Sequence, residues 1–270
     1  MDQLVATLLG WKIALVGAWF LALFAAEHLV PAAIPPLGAQ LTRQANAPGW
    51  RRLARNIGLW LANTVLSLLI VVPLTRFATE HAILGNWRPL WWRGTAGLLL
   101  DLLLLDFLIY WWHRANHRWS ALWRFHDVHH RDEFLDTTSA VRFHSGEVIL
   151  SALARAAIIM PLALPLSSVL AFEGLVLVAA LFHHSNLRLP HWFERPLSWL
   201  IVTPSIHWVH HHAVRADTDS NYGTVLSLWD RLFRSRSATP RTPDMQIGVE
   251  GERETDLLSL AALPFRPRRQ

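Results

Sequence analysis

Residues 94–118 read GTAGLLLDLLLLDFLIYWWHRANHR, and this stretch decides the fold. Its first 19 residues contain two charged side chains, Asp101 and Asp106, in an otherwise uncharged, leucine-rich run. A helix of about 20 such residues crosses the hydrocarbon core of a bilayer. The stretch continues into His113 and His117, which stand four residues apart and therefore lie on one helix face. The sequence thus predicts a transmembrane helix that carries metal-ligating side chains at one end.

Three further apolar stretches have lengths that suit membrane spans. Residues 11–34 and 57–75 are each long enough for one helix. Residues 148–182 form a longer stretch with Pro161 and Pro165 inside it, which favours two short helices that turn near these prolines. Hydrophobic residues make up 52% of the chain and charged residues 17%. We therefore expect an all-α, polytopic membrane protein with four to five transmembrane helices.

The composition excludes several classes of site and partner. The chain has no cysteine, which excludes disulfides, cysteine-ligated zinc, iron–sulfur clusters and a thiol nucleophile. A net charge of +5 would suit nucleic acid, but 15 tryptophans and long apolar runs favour arginines that face lipid headgroups or the cytosol. We therefore predict a membrane protein with no nucleic-acid partner.

The arginines predict the orientation in the membrane. Segment 114–142 has five and segment 188–269 has eleven, whereas the loop 76–93 between the second and third spans has three. By the positive-inside rule the arginine-rich segments face the cytosol. The predicted hairpin in 148–182 returns the chain to that same face. We expect a bacterial inner membrane protein, given its arginine-heavy composition.

Histidine is unusually frequent. The chain has 15 histidines, and 13 of them lie between His113 and His212. They form an HRANH box at 113–117, an HDVHH box at 126–130 and an HWVHH box at 207–211. Spacings of three and four residues put the rings of each box on one helix face. Neutral imidazole binds iron, zinc, copper or nickel.

The number of these histidines predicts two metal ions. Eight to ten candidate ligands exceed those of one tetrahedral zinc, and the HExxH pattern of zinc proteases is missing from the boxes. Two six-coordinate ions, each with four or five imidazoles and an open position, would use them. Because this chemistry needs no carboxylate ligand, it favours O2-dependent redox iron over hydrolysis.

Together with DTDSNYGTVLSLWDRLF at 217–233, the three boxes resemble the fatty acid hydroxylase/sterol desaturase superfamily of membrane di-iron oxygenases. The resemblance runs from about residue 94 to 265. It implies a helical membrane anchor with a cytosolic helical cap that holds a histidine-rich di-metal site. It also implies two iron ions, O2 as cosubstrate and hydroxylation or desaturation of a lipid C–H bond with electrons from an external donor.

The resemblance also assigns ligands residue by residue. His144 stands in RFHSGE, where Ser145 replaces the proline that usually follows this histidine in the family. His183 stands where a polar residue such as glutamine is common, so its role stays open. The implied metal ligands are His113, His117, His126, His129, His130, His144, His184, His207, His210 and His211.

Two further residues are candidates for the catalytic machinery. Asp106 stands seven residues before His113, two turns along the same helix face. We expect it either to orient a ligand histidine or to pair with an arginine of a neighbouring helix. Asn221 belongs to an Asn-Tyr-Gly sequence with turn chemistry, and we expect it near the metals without being a ligand.

We divide the chain into N-terminal membrane helices and loops (1–93), a fatty acid hydroxylase-like catalytic domain (94–233) and a C-terminal tail (234–270). We expect the polar, proline-containing start of the tail to be a loose linker. The predicted function is oxidation of a lipid delivered from the bilayer. Since no haem-binding or iron–sulfur pattern is evident, we expect a separate reductase or electron carrier. A membrane metal transporter or metal-binding protein and a metal-dependent membrane hydrolase are the alternatives, and the substrate stays open.

Overall fold

A computed structural model describes residues 2–34, 49–84, 87–253 and 255–266. These residues form helices and three isolated bridges, and no strand occurs among them. The N-terminal and C-terminal divisions include residues that lie outside this description, so the three-part division stays a prediction. The longer helices are α1 (Asp2–Leu29), α2 (Trp50–Leu66), α3 (Val72–Glu80), α4 (Gly94–Arg118), α5 (Ser120–His130), α6 (Ser145–Leu162) and α7 (Leu166–His184).

Five helical segments are long and apolar enough to cross a membrane. The prediction of four to five spans is therefore confirmed. Few of their large apolar side chains are fully buried and many are exposed, as expected for surfaces that face lipid. The segments are Gly10–Leu29, Trp50–Glu80, Gly94–Arg118, Ser145–Leu162 and Leu166–His184.

The second span is interrupted by one π-helical turn. Ser67–Val71 joins α2 to α3, and Pro73 follows in the first turn of α3. Because proline has no N–H, it leaves a carbonyl of the preceding turn without its usual partner. A π turn is one way in which a helix takes up such a defect without ending. The 31-residue segment thus continues as one span.

The long apolar stretch 148–182 folds as the predicted hairpin. Ala163 has a φ of 49°, which is left-handed and ends α6, and Pro165 caps the start of α7. At the core of the spans, Leu105 of α4 packs with Ile159 and Val169 of the hairpin. Since α7 returns toward the start of α6, the histidines at the ends of α4 and α7 lie on the same side.

Charged groups inside the spans have partners. Asp101 accepts hydrogen bonds from Arg88, from Trp92 Nε1 at 2.9 Å and from Ser168 Oγ at 2.7 Å. Glu27 of α1 accepts from the backbone N–H groups of Thr137 at 3.0 Å and Asn186 at 2.9 Å. A buried carboxylate is costly unless it is bonded in this way. Glu27 thereby joins the first span to the two loops that border the histidine cap.

The cap is the part of the chain that holds the histidine boxes beyond the ends of the spans, and it consists of α5 and several short helices and turns. The short helices are α8 (His191–Leu197), α9 (Pro204–His210), α10 (Arg215–Thr218), α11 (Leu228–Leu232) and α12 (Leu257–Ala262), and the 3-10 turns are Leu90–Trp92, Thr137–Val141 and Leu263–Phe265.

The segment after residue 234 packs against the cap, so the expectation of a loose linker is wrong for its described part. Asp217 Oδ1 accepts hydrogen bonds from Ser237 Oγ at 2.7 Å and Thr239 Oγ1 at 2.8 Å. Further along, Leu260 of α12 packs with Leu59 of α2. The sequence of this segment has neither the hydrophobic period of a helix nor that of a strand, so its packing could not be predicted from a pattern.

Candidate metal centre

The histidine boxes converge into two groups of nitrogen atoms. In each group one nitrogen from every ring lies within 4.8 Å of all the others. All of the rings are buried except that of His113, which is partly buried. The first group contains His113, His117, His126, His130 and His210, and the second contains His129, His184, His207 and His211.

Each HxxHH box contributes to both groups. In α5, His126 and His130 face the first group, whereas His129 faces the second. In the third box the assignment is reversed, because His207 and His211 face the second group and His210 of α9 faces the first. In a helix, residues four apart point in more similar directions than residues three apart. The first and last histidines of each box therefore share one group, and the middle histidine faces the other.

The hydrogen bonds of four rings show which nitrogen is free. Nδ1 of His113 contacts the carbonyl of Tyr222 at 2.9 Å, and Nδ1 of His210 contacts the carbonyl of Ser220 at 2.6 Å. A carbonyl only accepts, so in each ring Nδ1 carries the proton and Nε2 is an unprotonated acceptor. His129 and His184 follow the same rule, with the carbonyls of Arg142 and Ala180 as partners.

The free Nε2 atoms then face one another. Those of His113 and His210 are 3.1 Å apart, and those of His129 and His184 are 3.2 Å apart. His207 Nε2 is 3.0 Å from His184 Nε2. Two acceptor lone pairs at this distance repel each other unless a cation lies between them. The geometry therefore fits a metal ion in each group, with imidazole nitrogens as the donors.

Other rings leave buried nitrogens without a protein partner. Both nitrogens of His117 and of His130, and Nε2 of His126, are buried without a hydrogen bond among the described residues. An unsatisfied buried polar atom costs roughly 1–3 kcal/mol. Coordination would satisfy one nitrogen of each ring, which supports the same conclusion.

Five of the grouped rings outside the spans are held neutral. Burial lowers the pKa of His129, His130, His207, His210 and His211 well below 6.5, and neighbouring histidines lower it further. A metal needs the neutral ring with a free lone pair. At neutral pH these five side chains are thus ready to coordinate.

Two carboxylates lie beside the first group. Glu147 Oε1 accepts from His126 Nδ1 at 2.7 Å, and Asp219 Oδ1 lies 3.5 Å from His117 Nδ1. As an acceptor at Nδ1, Glu147 fixes the orientation of the His126 ring and makes its Nε2 more basic. Asp219 lies beside His117 without a hydrogen bond to it. Both acids are visible in the sequence as residues near the boxes, but the pairing of each with a particular ring is not.

A buried ionic network joins α2 to the second group. Arg52 donates to both carboxylate oxygens of Asp132, at 2.6 and 2.8 Å, and bonds to Asp136. Asn56 Nδ2 lies 3.3 Å from Asp132, and Asn56 Oδ1 accepts from the Arg142 guanidinium at 3.0 Å. The carbonyl of Arg142 in turn holds His129. No motif in the sequence links an arginine at position 52 to acids 80 residues away, so these residues could not be predicted from it.

Two of the histidines considered as ligands, His144 and His183, lie outside both groups. His144 Nδ1 accepts from the backbone N–H of Gly146 at 2.9 Å, and its Nε2 contacts the carbonyl of Ala261 at 3.0 Å. Because both nitrogens are bonded to the protein, the structure does not bring this predicted ligand to a metal. The His183 ring packs against His207 with centroids 4.0 Å apart, but it also belongs to neither group.

Asp106 and Asn221 support the site without touching the ligand rings. Asp106 accepts from the backbone N–H groups of Val225 and Leu226, each at 3.1 Å, and from Trp229 Nε1 at 2.8 Å. It pairs with no arginine in the described part of the chain, which corrects that expectation, and it makes no direct hydrogen bond to a ligand histidine. It fixes the loop that follows Tyr222, whose carbonyl holds His113.

Asn221 is part of the same loop. It has a φ of 51°, a left-handed conformation that asparagine tolerates better than most residues. Its side chain donates to the carbonyl of Ile206 at 3.2 Å and accepts from the backbone N–H of Ser237 at 3.1 Å. It therefore ties α9 to the C-terminal segment, and its side chain makes no hydrogen bond to a ligand ring in the described structure.

Comparison with known proteins agrees with this geometry. The fatty acid hydroxylase family model matches residues 98–235, about half of the chain, and these residues carry all nine histidines of the two groups. The chain belongs to the fatty acid hydroxylase family. No solved structure gives a significant match to it.

Curated relatives cover the same region. An ornithine lipid hydroxylase of Rhizobium tropici is 29% identical over 181 residues, which cover 67% of this chain and 54% of the relative. A very-long-chain aldehyde decarbonylase of Oryza sativa subsp. japonica is 32% identical over 63% of this chain and 30% of its own length. An alkylglycerol monooxygenase of Xenopus tropicalis is 32% identical over 53% and 29%. The chain thus spans about half of the first relative and less of the others.

Proposed function

We propose that the chain is a membrane-bound, non-haem di-iron oxidoreductase that uses O2 to hydroxylate or desaturate a lipid C–H bond. One observation carries the proposal: within buried, all-imidazole groups, unprotonated Nε2 atoms face one another at 3.1 Å for His113 and His210 and at 3.2 Å for His129 and His184. Such donors suit a redox-active first-row metal. A catalytic zinc usually has three protein ligands and an open position, and a structural zinc has four that usually include cysteine, whereas the groups here offer five and four imidazoles.

The relatives support a lipid as substrate. One is named as a hydroxylase of ornithine lipids and another as a monooxygenase of alkylglycerols. Both substrates contain long hydrocarbon chains with a polar head. In this chain the histidine groups adjoin the ends of α4 and α7, both of which are candidate spans. A lipid in the bilayer is thus close to the centre without leaving the membrane.

The residues of the chain would bind and orient the metals. The nine grouped histidines, His113, His117, His126, His129, His130, His184, His207, His210 and His211, would hold two iron ions, which would supply O2 activation and hydrogen abstraction. Glu147 and the backbone carbonyls fix the ring tautomers, and burial of the rings excludes water. We leave His144 out of this ligand set because its nitrogens are already bonded.

The electron balance requires a donor. In a hydroxylation, one oxygen atom of O2 enters the C–H bond and the other leaves as water, with two electrons and two protons supplied from outside. In a desaturation, the substrate supplies two further electrons and O2 leaves as two waters. We propose that a separate reductase or carrier delivers the external electrons at the cytosolic face of a bacterial inner membrane. The arginine-rich cap supports that orientation.

Metal analysis with Mössbauer spectroscopy on anaerobically purified protein tests the proposal. We expect two coupled irons per chain that react with O2 in the presence of a reductant. A His117→Ala variant should lose iron, whereas a His191→Ala variant, at an exposed histidine outside both groups, should retain it. A single zinc per chain would favour a hydrolase, and the absence of stoichiometric metal would favour transport or a metal-free role; either result would refute the oxygenase.

A further inference from the structure

A cavity of about 550 Å³ lies beside the metal centre where two spans leave the membrane. Its lining includes Ala32, three residues beyond the end of α1, and Arg188, four residues beyond the end of α7. The two chain segments are joined there by a hydrogen bond of 2.8 Å from Ala32 N to the carbonyl of Asn186. Because span ends mark the edge of the hydrocarbon core, the cavity lies at the level of the lipid headgroups.

The neighbouring helix α8 supports this depth. Trp192 is 77% exposed, and the following Trp199 and Leu200 are 62% and 67% exposed. Large apolar side chains on a short helix just beyond a span are typical of a segment that lies in the membrane interface, where tryptophan is enriched. Glu194 and Arg195 of the same helix line the cavity. The mouth of the cavity is thereby held against the membrane surface.

The cavity carries excess positive charge. Arg188, Arg195, Arg236 and Arg241 line it, and Glu194 is the one carboxylate among its described lining residues. Glu194 Oε1 is already bonded to the backbone N–H of Ser205 at 3.1 Å. The guanidinium groups of Arg195 and Arg236 make no hydrogen bond or ion pair within the described chain. Unpaired cations that share a concave site attract an anion.

One wall of the cavity is the helix that carries the third histidine box. Ile206 and Val209 of α9 line the cavity, whereas His207 and His210 point to the metal groups on the other side. The wall is stiffened by Arg241, whose guanidinium lies 3.9 Å from the centre of the Trp208 ring. A ligand in the cavity is thus one helix away from the metal centre.

We propose that this cavity binds the phosphate of an anionic membrane lipid. Guanidinium groups pair with phosphate oxygens through two parallel hydrogen bonds, and Arg195 and Arg236 have these donors free. A basic pocket at the membrane interface is a suitable site for such a headgroup. A concave site of this size also fits a headgroup better than it fits the flat face of a protein. The inference needs the membrane position of the cap and does not depend on the oxygen chemistry.

Native mass spectrometry of the full-length protein in a neutral detergent tests the proposal. Phosphatidylglycerol and a diacylglycerol with the same acyl chains are the probes. We expect phosphatidylglycerol to bind more tightly, and an Arg195→Gln/Arg236→Gln variant to bind it roughly 30-fold more weakly. An Arg195→Lys/Arg236→Lys variant keeps the charge but loses the paired hydrogen bonds, so its affinity should lie between that of the parent and that of the glutamine variant.

A matched control removes the same charge elsewhere. Arg93 and Arg253 are exposed and lie outside the cavity, so an Arg93→Gln/Arg253→Gln variant should bind phosphatidylglycerol as the parent does. Equal weakening in both double variants, or unchanged binding in the cavity variant, would overturn the proposal. Displacement of the lipid by an equal concentration of inorganic phosphate would also overturn it, because the site would then take a free anion.

Iron content measured on the same samples separates the two proposals. A protein that binds phosphatidylglycerol through these arginines but holds no iron would support this inference and refute the oxygenase. A protein with two irons and no arginine-dependent lipid binding would support the oxygenase and refute the lipid site.

Discussion

Replacing Glu147 by glutamine should weaken metal binding at one group of histidines and spare the other. Glu147 Oε1 accepts from His126 Nδ1 at 2.7 Å, and both side chains are buried. His126 belongs to the first group, whereas the second group contains no ring that contacts this carboxylate in the described structure. The change therefore affects one of the two proposed ions.

The size of the effect follows from the charge of the acceptor. A hydrogen bond to a charged group contributes about 1.5–3 kcal/mol and a neutral one about 1 kcal/mol. Glutamine keeps an acceptor oxygen but not the charge, so the loss is about 1 kcal/mol, or roughly fivefold in affinity. A Glu147→Leu variant removes the acceptor, and we expect a loss of about 10–100-fold, as is usual for groups that support a ligand histidine.

Anaerobic titration of the metal-free protein with Fe(II), against a chelator of known affinity, measures both sites. We expect one equivalent to weaken and the other to keep its affinity. Glu80→Gln is the control, because Glu80 is exposed and pairs with Arg76 away from the histidines. If both equivalents weakened equally, or neither changed, the assignment of Glu147 to the first group would be refuted.

Three further predictions concern stability and support of the site. Metal-free protein should lose thermal stability as the pH falls below about 6.5, because unfolded histidines then bind protons that buried rings such as His130 and His211 do not. The free energy of unfolding should fall by roughly 1.4 kcal/mol per pH unit for each such ring. A melting temperature that stays constant between pH 7.5 and 5.5 would contradict this prediction. Arg52→Ala should destabilise by about 3–5 kcal/mol in denaturant unfolding, and adding Asp132→Asn should recover part of the loss by removing an unpaired buried charge. Asp106→Ala should lower iron affinity more than Asp106→Asn, because it releases the loop that fixes His113, and equal affinities in the two variants would argue against this role.

The spans and the ligand boxes could be predicted because their signals are local. Nineteen uncharged or nearly uncharged residues suffice to identify a span such as residues 94–112, and the prolines at 161 and 165 mark the hairpin turn. Histidine spacing within one helix fixes which rings share a face. The eight predicted ligands of the three boxes all lie in the two groups, and His184, which the family resemblance implied, is the ninth.

The remaining features depend on contacts between distant parts of the chain. His144 matches a family segment, yet its role as a helix cap is decided by the carbonyl of Ala261, 117 residues away. Asp106 shares a helix face with His113, but the N–H groups that it accepts come from residues 225 and 226. The assignment of each histidine to one group or the other likewise requires the relative placement of α5 and α9, which spacing alone leaves open.

The reversed use of the two HxxHH boxes has a consequence for assembly. Since α5 and α9 each serve both groups, removing either ion would free one side of both helices at once. The seven residues of α9 have little helical stability of their own. Under the proposed function, each ion would therefore stabilise both helices, and filling either group should raise the melting temperature of the same cap.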